Sequence, residues 1–77
     1  MKAILEFNLD DFNERNLHKM AVQSFNAFMC LYDLDAALRN EIKYQEHPEE
    51  IEEVYQKVRD LLHEIVTFRN VDLDLIT

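Results

Sequence analysis

The sequence predicts an α+β fold, mostly α, in which an antiparallel helical hairpin carries short N- and C-terminal strands in the order β-α-α-β. Three observations lead there. Glycine is absent and Pro48 is the sole proline, so tight turns requiring positive φ must use Asn or Asp, and a hairpin-rich all-β fold is excluded. Two long stretches place apolar residues at helical spacing, and two short terminal stretches alternate with period two. Seventy-seven residues suffice for one domain, spanning 1–77, with a core that is marginal on its own. Domains of this size lean on disulfides, a metal or a second copy of themselves.

The first element is read from Lys2 to Leu9. Ala3, Leu5, Phe7 and Leu9 share one side, while Lys2, Glu6 and Asn8 share the other together with Ile4. This alternation predicts a half-buried strand. Asp11, three residues before Glu14, has capping-box spacing and opens a helix.

That helix is expected from about Phe12 to Tyr44, with Asn13–Asn16 and Asp33–Asp35 as candidate breaks. Leu17, Met20, Ala21, Ser24, Phe28, Leu31, Leu34 (or Asp35), Leu38 and Ile42 step by three and four. A second stripe, Phe25, Met29 and Tyr32, widens the apolar arc beyond the roughly 100° that a surface helix needs.

Residues 45–50 form the connector. Pro48 at the first helical position, followed by Glu49 and Glu50, starts the second helix, because proline lacks only a donor that would be orphaned there. Ile51, Val54, Tyr55, Val58, Leu61, Leu62, Ile65 and Phe68 then give the most regular heptad-like pattern in the chain. Glu53 and Lys57 stand at i, i+4 on the wet face. Asn70 provides the stop that glycine usually supplies, and Val71 to Leu75 alternates as a short second strand. A hairpin of two helices returns this strand to the end where the first began, so the two are expected to pair.

Composition narrows function. Sixteen acidic residues against eight basic ones give a net charge of −8, which opposes direct binding to nucleic acid or an anionic membrane and favours basic partner surfaces. At 48% hydrophobic residues the chain is too apolar for a disordered acidic tail. The N-terminal apolar stretch is broken by Glu6 and does not read as a signal peptide, and no segment approaches a membrane span. Cys30, the single cysteine, lies in an apolar run where a thiol packs. These features fit a cytoplasmic protein.

Catalytic patterns are missing. Asp60 and His63 share a helix face, but Thr67 stands where a second histidine of a zinc motif would be. Ser24 and Cys30 have no glycine-bearing turn to expose a nucleophile. Asp33 and Asp35 point to different sides of a helix, and Asp72 and Asp74 read as an edge guard on the terminal strand. No enzyme activity, cofactor or metal is expected. Two binding candidates remain. The acidic cluster Glu46, Glu49, Glu50, Glu52 and Glu53 at the hairpin tip suits a basic groove, although glutamates also favour a helix N-terminus for dipolar reasons. The surplus apolar surface Phe25, Phe28, Met29 and Tyr32 suits a second subunit or a target protein, or is covered by a broken, wrapped helix.

The opening Lys2-Ala3-Ile4-Leu5-Glu6-Phe7-Asn8-Leu9, then Leu31-Tyr32-Asp33-Leu34-Asp35, Leu38-Arg39 and Ile42-Lys43-Tyr44, resemble a family of small uncharacterised proteins encoded by tailed bacteriophages and prophages. Arg59-Asp60-Leu61 in the glutamate-led second helix extends the likeness. The chain departs from the pattern at Asp10, where proline is usual, and at Tyr32, where tryptophan is usual. The resemblance implies a phage origin and a bacterial host cytoplasm. By analogy of class it implies an inhibitor of a host or host-defence protein, for instance a nucleic-acid enzyme with a basic surface. The alternative is a homo-oligomeric structural or assembly protein of phage origin.

Overall fold

The computed structural model describes residues 1–76, with side chains described through residue 75. It contains two α-helices, α1 (Phe12–Tyr44) and α2 (Glu49–Phe68), followed by a single 3₁₀ turn at Leu73–Ile76. Helix α1 begins where Asp11 turns its carboxylate back to accept from the backbone N–H of Asn13 at 2.8 Å and of Glu14 at 3.3 Å. The N–H of Asp11 donates to the carbonyl of Asn8 instead of to Glu14, so the cap is one-sided. From there α1 runs unbroken for 33 residues through both candidate breaks. Its expected length of about 50 Å matches the 54 Å long axis of the molecule.

The connector places Pro48 one residue earlier than anticipated. It is the N-cap itself (φ −55°, ψ 146°), and its carbonyl accepts from the N–H groups of Ile51 and Glu52. Helix α2 ends in a Schellman motif: Asn70 takes φ 58°, its N–H reaches the Thr67 carbonyl, and the Val71 N–H reaches the Val66 carbonyl at 2.8 Å. Asparagine thus does the work of the missing glycine.

The two terminal strands are not formed. No residue among those described is in a strand, and the fold is a helical hairpin without the α+β component. The physical reason lies in unequal helix lengths. Helix α1 has 33 residues and α2 has 20, so at 1.5 Å per residue α1 projects about 20 Å further. The segment after α2 therefore lands against the middle of α1, where Leu75 lines one depression with Ser24, Phe25 and Phe28. The segment before α1 lies at the far end. With no partner strand in reach, neither segment can form a ladder. Residues 71–76 turn back on the helices, and the N-terminal segment folds against the first turns of α1. Phe7 meets the His18 ring edge-on at 5.6 Å, and Arg15 Nε donates to the Leu9 carbonyl at 3.0 Å.

The core is small. Leu38 from α1 and Leu62 and Val66 from α2 are buried, with Leu31, Tyr55, Val71 and Leu73 packed around them. Most of the heptad-like apolar pattern of α2 is not in it: Ile51, Val54, Val58, Leu61, Ile65 and Phe68 are all exposed. The helix instead turns Tyr55, Arg59, Leu62 and Val66 towards α1. Cys30 is also exposed, because it stands a 100° step from Leu31, which packs on the core.

Candidate interaction surfaces

Two polar contacts join the helices, and a third ties the connector to α1. Asp35 of α1 accepts from Arg59 Nε at 3.1 Å and from His63 Nε2 at 2.5 Å, both from α2. A carboxylate only accepts, so His63 must carry its proton on Nε2 in this contact. Burial alone would raise the Asp35 carboxyl, but the hydrogen bonds and charges of Arg59 and His63 outweigh it and hold the group below its ordinary value. Near the tip, His47 Nε2 lies 2.9 Å from Glu41 Oε2, and its ring tilts against Tyr55 at 5.2 Å. Asp60 accepts from Gln56 Nε2 at 2.9 Å. The sequence pair Asp60 and His63 is therefore divided between different partners, and among the described residues no three His, Cys, Asp or Glu side chains converge as metal ligands. Ser24 is bound by its own helix, donating to the Ala21 carbonyl at 2.6 Å.

The acidic tip lies where the sequence placed it. Glu46, Glu49, Glu50 and Glu53 are exposed and Glu52 is half-buried. None of the five makes a side-chain hydrogen bond or ion pair among the described residues, and the anticipated Glu53–Lys57 pair is not closed. Glu49, Glu50 and Glu52 occupy the first turn of α2, where the helix dipole favours them.

The aromatic stripe of α1 is divided. Phe25 is 70% exposed, whereas Phe28, Met29 and Tyr32 are half-buried. The 3₁₀ turn packs on α1 and forms the open depression lined by Ser24, Phe25, Phe28 and Leu75. Helix α1 is unbroken, so the broken, wrapped helix that would cover the stripe is not formed, and the 3₁₀ turn reaches only part of it.

No family model, curated protein or solved structure matches the chain. The surface itself is the remaining guide. A compact monomer of this mass exposes roughly 5,000 Å², but this chain exposes 6947 Å². Its radius of gyration is 17.2 Å, against about 11–12 Å for a compact domain of this length. Among the described residues three hydrophobic side chains are buried, whereas eighteen large ones are exposed. Such a proportion exceeds the scattered apolar exposure normal for a monomer.

Sequence reasoning missed one surface that adds to this excess. Ile51, Val54, Val58, Leu61, Ile65 and Phe68 were read with Tyr55 and Leu62 as one heptad-like pattern, yet these six form an outward stripe along α2. A signal was available in the spacing. These six step three and four without interruption, while Tyr55, Leu62 and Val66 form a second, narrower line about 100° away. A helix with two apolar lines has two neighbours to satisfy. No helix of the described residues is long and apolar enough to cross a membrane.

Proposed function

We propose that the chain is a binding protein that acts by docking exposed helical surface onto another protein chain. The observation that carries this reading is the roughly 2,000 Å² of accessible surface beyond that of a compact monomer. A standard interface takes about 800 Å² from each partner, so the excess is large enough to cover one complete interface. The resemblance to phage and prophage proteins suggests a bacterial host cytoplasm as the setting. The five carboxylates at the tip suggest a host protein with a basic surface as the target, such as a nucleic-acid enzyme or a defence protein that the chain inhibits. In that form the tip steers encounter and the apolar surface holds the complex.

The test is complex formation with proteins of a bacterial host lysate at rising salt, using the native chain and a variant with Glu49, Glu50, Glu52 and Glu53 all changed to lysine. Capture that weakens with salt and is lost in the variant supports acidic docking. Capture unchanged by both treatments removes the tip from the reading.

A second reading is favoured by the unbroken heptad stripe of α2: a homo-oligomeric structural or assembly protein whose exposed surface is covered by its own copies. Sedimentation across a wide concentration range separates the two readings.

A further inference from the structure

We infer that α2 is the seam of a symmetric antiparallel dimer, in which the outward stripe Ile51, Val54, Val58, Leu61, Ile65 and Phe68 packs against the same stripe of a second copy. This rests on the reading of the chain as a binding protein and names its partner.

The spacing comes first. Steps of 3, 4, 3, 4 and 3 are the a and d positions of a coiled-coil seam, with Ile51, Val58 and Ile65 at a and Val54, Leu61 and Phe68 at d. All six are exposed. The line that packs on α1 lies about 100° round the helix, close to the right angle at which a helix in a four-helix bundle meets two neighbours. Contact with α1 therefore leaves the seam accessible.

The stripe is also complementary to itself when reversed. An antiparallel pair centred between Val58 and Leu61 sets Ile51 beside the partner's Phe68, Val54 beside the partner's Ile65, and Val58 beside the partner's Leu61. The two-fold axis repeats each layer, so all six positions are filled on both copies. The largest side chain, Phe68, falls at the end of the seam, opposite Ile51 at the start of the partner's helix.

Charge selects this direction over the parallel one. The flanking positions before each a residue are Glu50, Lys57 and Glu64. In the antiparallel register Lys57 lies nearest the partner's Glu64, and Glu64 lies nearest the partner's Lys57. A parallel pair instead brings the two glutamate-rich starts of α2 together and aligns the helix dipoles. Lys57 and Glu64 carry no side-chain ion pair within the monomer's described residues, so both are available.

The experiment is sedimentation equilibrium on the full chain, combined with cysteine crosslinking in a Cys30→Ser background. The expected result is a dimer at micromolar concentration. Lys57→Glu should weaken it roughly tenfold, since two attractive pairs become repulsive, and adding Glu64→Lys should restore it. Both positions are on the surface, so a folding defect does not confuse the result, and circular dichroism checks this. Mixing an Ile51→Cys chain with a Phe68→Cys chain should give a crosslinked heterodimer, while Ile51→Cys alone should give none. A strict monomer at high micromolar concentration overturns the seam, while leaving capture of a host protein to decide the broader reading. Crosslinking of Ile51→Cys with itself, or no effect of the charge exchange, overturns the antiparallel register.

Discussion

Tyr55, Arg59, Leu62 and Val66 face α1. Ile51, Val54, Val58, Leu61, Ile65 and Phe68 face outward, little more than a quarter turn away on the same helix. The outward line is longer and more apolar, yet the shorter inner line forms the core. The inner line includes Arg59, whose guanidinium Asp35 receives, and its aromatic, Tyr55, rests against His47. The outer line has no polar member. A mixed face finds specific partners within the hairpin, and a purely apolar face is left for a surface that need only match it in shape. Hydrophobicity alone therefore does not say which side of a helix is inside its own chain.

The largest expected effect breaks this comparison at adjacent residues. Leu62 is buried and Leu61 is 54% exposed. Leu62→Ala should cost about 2–4 kcal/mol of folding stability, as for other buried leucines. Leu61→Ala should cost about 1 kcal/mol in dilute protein, because more than half of its surface stays in water after folding. Urea unfolding at two protein concentrations checks both. The cost of Leu61→Ala should grow with concentration where dimer contributes to stability, and the cost of Leu62→Ala in the monomer should not.

Much of the hairpin was legible from sequence for local reasons. Asp11 caps α1, Pro48 starts α2 and Asn70 ends it through interactions within five residues, and such signals survive any tertiary context. The terminal strands were illegible because alternation states only what a segment does when a neighbouring strand exists. Lys2–Leu9 and Val71–Leu75 alternate, but the 33-residue α1 separates them. The glutamates stand at the hairpin tip because Pro48 starts α2 there, and four of the five are exposed. The division of apolar residues between core and seam was not, since both lines obey helical spacing and only the position of α1 chooses between them. Arg59 and His63 as partners of Asp35 were missed for a similar reason: they are at sequence separations of 24 and 28, beyond the reach of a local motif.

The polar half of the inner face gives the next effect. Asp35→Asn keeps the side chain's shape but removes the charge that Arg59 and His63 address, and should cost about 1.5 kcal/mol at neutral pH, given that the group is only partly shielded from water. The sign of its pH dependence follows from the lowered carboxyl. The charged form is favoured in the folded chain, so this contribution is complete above the ordinary value of 3.8 and is lost as pH falls through the lower folded value. Thermal melts of the native chain and Asp35→Asn should thus converge in strong acid, separate as pH rises towards 3.8, and keep a constant gap above it. A gap that persists unchanged into strong acid would assign the cost of the substitution to packing.

The smallest effect sharpens the comparison at its boundary. Asn70 reverses the chain at the end of α2, so that Val71 and Leu73 pack on the inner face beside Leu62 and Val66, while among the described residues nothing folds back over the outer one. Its φ of 58° costs little for asparagine or glycine and more for a residue with an ordinary Cβ. Asn70→Ala should lower stability by about 0.7 kcal/mol, and Asn70→Gly should leave it within a few tenths. Hydrogen exchange at the Val71 amide, which donates to Val66, should accelerate in the alanine variant. Amides at the start of α2, beside Ile51, should not respond, because the cover that Asn70 directs reaches only one face and one end of the helix.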